Sequence, residues 1–421
     1  MSPARATPPE TALPSLAGAE WLERSSTRAV MAAIAGAGHG VRAVGGAVRN
    51  ALIGVPVRDV DLATTALPEE VMALAQAAGL KAVATGIEHG TVTIVAHHQP
   101  IEVTTLRKDV ATDGRRAVVS FTTDWEADAA RRDFTLNALY CDGDGTLHDP
   151  LGGYRDLAAR RVRFIGDPHA RIREDYLRIL RFFRLFAEYG VGDPDEAGYA
   201  ASIAERGGLT LLSGERIRVE LLRLLAAPRA LEAVEAMSAG GILELLVGAR
   251  PTSRVLSRLI EIERRLAGAP DAVLRLAALA VHEVDDAPRL AERLKLANAE
   301  AARLAAAATY DVALLPRTGG PALHAFLYRH GLARFLDAEL IDWARSDDPP
   351  DSGERLRRIE EARQWPPPAL PFRGADVVAL GVAKGTEVGR VLDVFEEWWI
   401  ASDFPRDAEL LRRRLAEIAR A

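Results

Sequence analysis

The chain has 421 residues, 48% of them hydrophobic and 27% charged, with a formal net charge of −6 at neutral pH. That length allows about two to four domains with sizeable cores, and the negative balance means that any RNA contact must be local rather than spread over the whole surface. One cysteine, Cys141, excludes a disulfide framework and fits a reducing cytoplasm, and no apolar run approaches the roughly 20 residues of a membrane span.

In chain order, Met1–Ala19 holds Pro and Ala without a basic-plus-apolar signal pattern and reads as a loose leader. A helix is predicted over Glu20–Gly36, a strand over Val41–Val44, a helix over Ala47–Ile53 and a strand over Val57–Leu62. Pro68-Glu69-Glu70, with Pro early and acids in the first turn, starts a helix to Ala78. Alternation predicts strands at Thr91–Ala96 and Ile101–Thr105, then a long polar loop over Arg107–Asp124. A last strand, Leu136–Cys141, ends in the turn Asp142-Gly143-Asp144-Gly145, so the first part is a small mixed sheet with helices. Beyond about Arg160 the periodicity is helical throughout, over Arg171–Tyr189, Glu215–Leu225, Pro228–Ala239, Thr252–Ala267, Ala272–Val281, Ala287–Leu294, Asn298–Thr309, Gly320–His330 and Leu332–Ser346. Asp347–Ser352 and Trp365–Pro371 read as linkers, with a boundary near Asp347 and no repeat of fixed period. The fold class is α+β, a sheet-bearing head followed by an all-helical arm.

The chemistry concentrates in the head. Gly45 and Gly46 follow a strand and open a helix, so backbone N–H groups can approach a triphosphate, with Arg49 as a charged donor. Asp59 and Asp61 lie two apart on a strand and therefore face the same way, where they can share a hard cation. A turn and a solvated strand edge are the plain alternatives for these two signals taken singly, and their coupling is what favours a nucleotidyl transferase. A dinucleotide fold is excluded, because neither G-x-G-x-x-G nor G-x-x-x-x-G-K occurs. If Ile101–Thr105 neighbours Val57–Leu62, Glu102 becomes a third carboxylate, and three acids suit a two-Mg²⁺ transfer.

Arg131-Arg132-Asp133 and Asn137 bring donors for phosphate and acceptors for ribose hydroxyls, an Arg132–Asp133 ion pair being the competing reading. In Arg173–Phe186, Ile179, Phe182, Phe183 and Phe186 mark the core face. Asp175, Arg178 and Arg181 recur every three residues and predict one polar ridge, either a base-reading edge selective for the amines of C and A or an i,i+3 salt bridge. Between Arg155 and Arg184 nine arginines face four carboxylates, a basic patch in an acidic chain or a solvated helix face.

At these residues the chain resembles the class II nucleotidyltransferases, which comprise bacterial CCA-adding enzymes and bacterial poly(A) polymerases. Gly45-Gly46 with Asp59-x-Asp61 is similar to the family's metal and triphosphate motif, and Arg131–Asn137 to its ribose and phosphate motif. Glu174-Asp175-Tyr176-Leu177-Arg178 resembles its nucleotide-template motif, and Glu215-Arg216-Ile217-x-x-Glu220 a later motif that buttresses the neck. The match spans roughly Val41–Leu225. It implies a leader over residues 1–25, a catalytic head over 26–160, a helical neck over 161–226, a body over 227–347 and a tRNA-binding tail over 348–421. It further implies Mg²⁺ on Asp59 and Asp61, and tRNA, CTP and ATP as partners, in the cytoplasm with no membrane or protein partner. Asp175 and Arg178 then select CTP followed by ATP, while Arg181 and Arg184 support the site. Asn50 departs from the family, which commonly has Asp there, and no His-Asp phosphohydrolase signature appears. Thr85–Val92 looks like the CCA-adding type. Poly(A) polymerase and partial CC- or A-adding enzymes stay open as alternatives, and a catalytically silent RNA-binding protein is the rival from another class. In Gly374–Val391, a helix–Gly turn–helix pattern, N–H groups near Lys384 and Gly385 either meet an RNA phosphate or simply pack, with Trp398 and Trp399 in a tail core.

Overall fold

The computed structural model describes residues 13–113, 116–248, 251–308 and 314–421, without side chains over 109–119. Two compact units divide the chain, one ending at Leu246 and the other beginning at Val247.

The first unit is built on a seven-stranded sheet of Val41–Val44 (β1), Asp61–Thr64 (β2), Lys81–Gly86 (β3), Thr91–Ala96 (β4), Gln99–Thr105 (β5), Tyr140–Cys141 (β8) and Leu147–His148 (β9). The strand order is β3-β4-β5-β2-β1-β8-β9. Only β2 and β5 pair in parallel, which requires a crossover, supplied by the helix Pro68–Ala77 and the β3–β4 hairpin. That pairing sets Asp61 beside Glu102. Val92, Ile94, Ile101 and Val103 are buried and pack under the helices Ser25–Ala35 and Pro68–Ala77. Past the sheet, Phe134, Phe164 and Phe182 stack with centroids 4.6 and 5.5 Å apart along the series, tying the helix Leu177–Tyr189 to the head. Ile179, Phe182, Phe183 and Phe186 are buried as predicted.

Several elements differ from the sequence reading, each for a local reason. The expected helix Glu20–Gly36 breaks at Arg24, which is extended (φ −55°, ψ 131°) between Glu20–Glu23 and Ser25–Ala35. The described end of the expected leader is not loose: Leu16 N–H donates to the Gly145 carbonyl and Trp21 and Leu22 are buried. The strand expected over Val57–Leu62 begins only at Asp61. The polar loop Arg107–Asp124 is instead largely an antiparallel hairpin of Arg107–Asp113 (β6) and Arg116–Phe121 (β7), since local pairing satisfies backbone groups that an open loop would leave to water. β3 was illegible because it is an edge strand with four of its six residues exposed, so burial imposes no alternation on it. In place of the strand Leu136–Cys141 stand a 3₁₀ turn, Thr135–Asn137, and the two residues of β8.

The second unit is helical among its described residues. Ser253–Arg265, Ala272–Ala280, Asp286–Leu294 and Asn298–Ala306 precede Pro321–Arg345, which Gly331 (φ 82°, ψ 162°) splits where the sequence has a helix boundary. Gly353–Gln364 and Ala408–Arg420, missed for their high charge, use narrow apolar stripes. Glu339, fully buried on the long helix, accepts from Arg355 (3.1 Å) and Arg358 (2.5 Å) on Gly353–Gln364 and so fixes that helix with paired charges. The C-terminal helices Gly374–Ala379 and Thr386–Ala401 enclose Val377, Val391, Phe395 and Trp399, so Trp399 is core, with Trp398 packed partly buried beside it. No helix among the described residues is long and apolar enough to cross a membrane.

Candidate active site

A cleft of about 1060 Å³ opens within the first unit, with Gly45, Gly46, Asp59 and Asp61 on one side and Arg178, Arg181 and Arg223 among its helical lining. Gly45 has φ 71° and ψ −123°, a conformation in which a Cβ is strained, and its N–H donates to the Leu139 carbonyl (3.3 Å). The following helix, Gly46–Leu52, is only seven residues long, so most of the fixed positive charge here comes from Arg49 rather than from a helix dipole.

Arg49 is 8% exposed. Its guanidinium donates to Asn137 Oδ1 (2.5 Å), the Tyr189 hydroxyl (2.9 Å) and Asn50 Oδ1 (3.1 and 3.2 Å), and lies 4.3 Å from the Tyr189 ring centroid. All of these partners are neutral. Burial lowers the Arg49 pKa, with Tyr189 and Glu188 opposing, yet a guanidinium keeps its proton. A buried cation whose hydrogen-bond acceptors are all neutral, at the wall of a cleft, can take up an anion. Asn50 serves as an orienting acceptor for Arg49 without neutralising it.

Val60 and Leu62 are buried while Asp59 and Asp61 are exposed in the cleft, so the alternation holds although Asp59 precedes the strand. The Asp61 pKa is raised, by loss of solvation first and then by the negative charges of Glu102 and Asp59. Water reaches this carboxylate, but the surrounding walls remove part of its hydration. Glu102 is next to Asp61 in the sheet without lining the cleft. Among the described residues no three His, Cys, Asp or Glu side chains gather into a metal cage, while Glu102 and Asp59 both lie close enough for their charges to act on Asp61. Two hard carboxylates that repel each other and open onto a cleft fit a hard divalent cation.

The arginine wall is organised by acids. Asp128, which is 1% exposed, accepts from Arg131 (2.9 and 2.6 Å), Arg132 (3.3 and 2.9 Å) and the Tyr140 hydroxyl (2.7 Å). Burial raises its pKa, but the two guanidiniums outweigh burial and hold it below the usual carboxylate value. Arg132 thus pairs with Asp128 and not with Asp133. Asp133 Oδ1 accepts from Phe134 N–H (2.9 Å) and Asn137 Nδ2 (3.1 Å). Its Oδ2 lies 2.8 Å from Arg181 Nη1 without hydrogen-bond alignment, leaving a buried acceptor in the cleft wall. Arg184 is tied to Glu220 (2.6 Å) and Glu188 (3.0 Å), so the Glu215–Glu220 segment braces the helix Leu177–Tyr189.

Residues 41–163 match the family described as Poly A polymerase head domain. The chain is 33% identical over 391 residues to CCA tRNA nucleotidyltransferase 1, mitochondrial, of Mus musculus, covering 89% of this chain and 86% of that one. It belongs to the CCA tRNA nucleotidyltransferase family. It is also 41% identical over 214 residues to the CCA-adding enzyme of Geobacillus thermodenitrificans, about half of each chain. The solved Bacillus stearothermophilus CCA-adding enzyme in complex with CTP covers 94% of this chain and 97% of its own, with a TM-score of 0.70 and 28% identity. Nucleotidyltransferases of this family generally use a divalent metal.

Within this nucleotidyltransferase the expected ridge of Asp175, Arg178 and Arg181 on one helix does not form. Asp175 is extended (φ −156°, ψ 107°) between the helices Pro168–Glu174 and Leu177–Tyr189. Its carboxylate accepts from Leu177 N–H (3.1 Å), the local competition that stops a helix at Asp, and pairs with Arg216 (2.7 Å). Arg178 lines the cleft and bonds Glu174 and the Arg171 carbonyl, whereas Asp175 is not among the lining residues. Sequence reasoning missed Asp128, although its i,i+3 and i,i+4 spacing to Arg131 and Arg132 was visible. It also missed Arg58 and Arg223, cleft arginines that carry no side-chain hydrogen bond or ion pair among the described residues and had no motif to flag them.

Proposed function

We propose that this enzyme adds C, C and A to the 3′ end of tRNA, using CTP and ATP and releasing pyrophosphate. The observation that carries this reading is one cleft holding the Asp59–Asp61 pair together with a buried Arg49 whose hydrogen-bond partners are all neutral. Arg49 and the N–H groups after Gly45 bind the triphosphate, and Arg132, fixed by Asp128, adds a bidentate donor. Asp133 accepts a ribose hydroxyl through Oδ2, which pairs with Arg181 but accepts no aligned hydrogen bond, with Asn137 orienting both Asp133 and Arg49. The terminal ribose hydroxyl of the RNA attacks the α-phosphorus, a new P–O bond forms, and the bond to the β-phosphate breaks as pyrophosphate leaves. Mg²⁺ held by Asp59 and Asp61, with Glu102 beside them, supplies charge neutralisation and activates the attacking hydroxyl when bound.

Arg178 reads the base edge together with Asp175, for which the Asp175–Arg216 pair must loosen, and Arg181 and Arg184 act through Asp133, Glu188 and Glu220. The tail meets tRNA by shape and phosphate contacts, so binding weakens with salt. The reduced, buried Cys141 accords with a cytoplasmic setting.

Incubating tRNA that lacks its 3′ end with CTP alone, then with CTP and ATP, tests the reading. Two C residues followed by one A are expected. Incorporation of A alone into a growing tail would identify a poly(A) polymerase, and no extension by wild-type protein would leave an RNA-binding protein.

A further inference from the structure

Asp59 precedes β2 and so gains nothing from the sheet ladder that fixes Asp61. Pro56, Val57 and Arg58 lie outside helix and strand, and no loop or turn backbone–backbone hydrogen bond involves them among the described residues. Two carbonyls of this segment are nevertheless satisfied. The Arg24 guanidinium donates to the Val57 carbonyl (2.8 Å) and to the Arg58 carbonyl (3.0 Å), which lies immediately before Asp59. Arg24 is itself oriented by Glu20, whose two carboxylate oxygens accept from Nε (3.0 Å) and Nη2 (2.9 Å). Arg24 and Asp59 line one small cavity, and the Asp59 charge is the least of the influences that raise the Arg24 pKa. Arg24 sits at the break between the helices Glu20–Glu23 and Ser25–Ala35, and that break turns its side chain toward the Asp59 segment.

Building on the reading above, we propose that Arg24 is a positioning residue for Asp59. By clamping two successive carbonyls, it holds an otherwise unpaired stretch so that the Asp59 and Asp61 carboxylates keep the spacing a shared divalent cation needs. Asp59 makes no side-chain hydrogen bond or ion pair among the described residues, so its direction depends on its backbone, and Arg24 is the clamp on that backbone. The guanidinium fork suits this task, because two donors in one plane meet two adjacent carbonyls, whereas a lysine ammonium would hold them less rigidly.

The test uses the full chain and Mn²⁺ as the metal probe. Mn²⁺ binding is read from the loss of the free-ion electron paramagnetic resonance signal, alongside thermal melting and CTP addition to tRNA lacking its 3′ end. Arg24→Gln should weaken Mn²⁺ binding about tenfold, the usual cost of losing a group that orients a ligand. Its midpoint in a Mg²⁺ titration of activity should rise and kcat at fixed Mg²⁺ should fall, with KM for CTP unchanged, because the Arg49 site is untouched. Arg24→Lys should recover part of the Mn²⁺ affinity, and Glu20→Gln, which leaves Arg24 in place but unbraced, should show a weaker version of the same effect. Wild-type Mn²⁺ affinity in Arg24→Gln would overturn the proposal, as would a loss of binding matched by an equal loss of CTP affinity. Should Arg24→Gln fail to fold, Glu20→Gln decides: unchanged Mn²⁺ affinity there also overturns it. Failure of wild-type protein to extend tRNA would instead count against the proposed function, while the Mn²⁺ comparison would still judge the clamp.

Discussion

Replacing Asp128 by Ala should cost the enzyme more stability than any single surface change, and the size follows from what the carboxylate holds. It is 1% exposed and is shared by two guanidiniums, whose side chains are 14% and 18% exposed, and by the Tyr140 hydroxyl. Its removal leaves two mostly buried cations with no counter-charge, and breaking such a pair costs about 3–5 kcal/mol. Urea unfolding followed by circular dichroism gives the loss. A double variant, Asp128→Leu with Arg132→Leu, should lose less than the sum of the single changes, because each removes the other's unpaired charge. The same group sets an acid limit. Its folded pKa is depressed below the unfolded value of about 3.9, so its stabilisation is complete above that pH and is lost as pH falls through the lower folded value. An Asp128→Ala variant within about 0.5 kcal/mol of wild type, the range of ordinary surface substitutions, would refute the claim that this acid organises the arginine wall.

Arg184→Leu strands the carboxylates of Glu220 and Glu188, so a destabilisation of about 3–5 kcal/mol is expected by urea unfolding, with CTP incorporation at permissive temperature reduced only a few-fold. Complete inactivation of the folded variant would move Arg184 from support into direct substrate contact. Gly45→Ala forces a Cβ into φ 71° and ψ −123°, costing about 1–3 kcal/mol, and should lower CTP affinity about tenfold through displacement of the triphosphate N–H donors. Titration calorimetry with CTP reads the second effect, and unchanged affinity would remove the Gly45 turn from the site.

Local sequence determined the parts of this protein that depend on covalent spacing. The glycine pair after β1, the two-residue step from Asp59 to Asp61, the apolar face Ile179–Phe186 and the helix boundary at Gly331 are each set within a few residues, and each stands where the sequence put it. Ion-pair partnership was decided elsewhere. Asp175 could pair with Arg178 or with Arg216, 41 residues away, and the choice rests on how the helices that carry them pack; the Arg132–Asp128 pair, four residues apart, is the local exception. Edge strand β3 and the β6–β7 hairpin are likewise products of pairing rather than of burial, so no hydrophobic period announced them. The sequence supplied the acids and arginines of the cleft. Only the packed structure, by placing charges tens of residues apart in a shared low-dielectric wall, decided which of them neutralise one another and which, like Arg49, stay charged for a ligand.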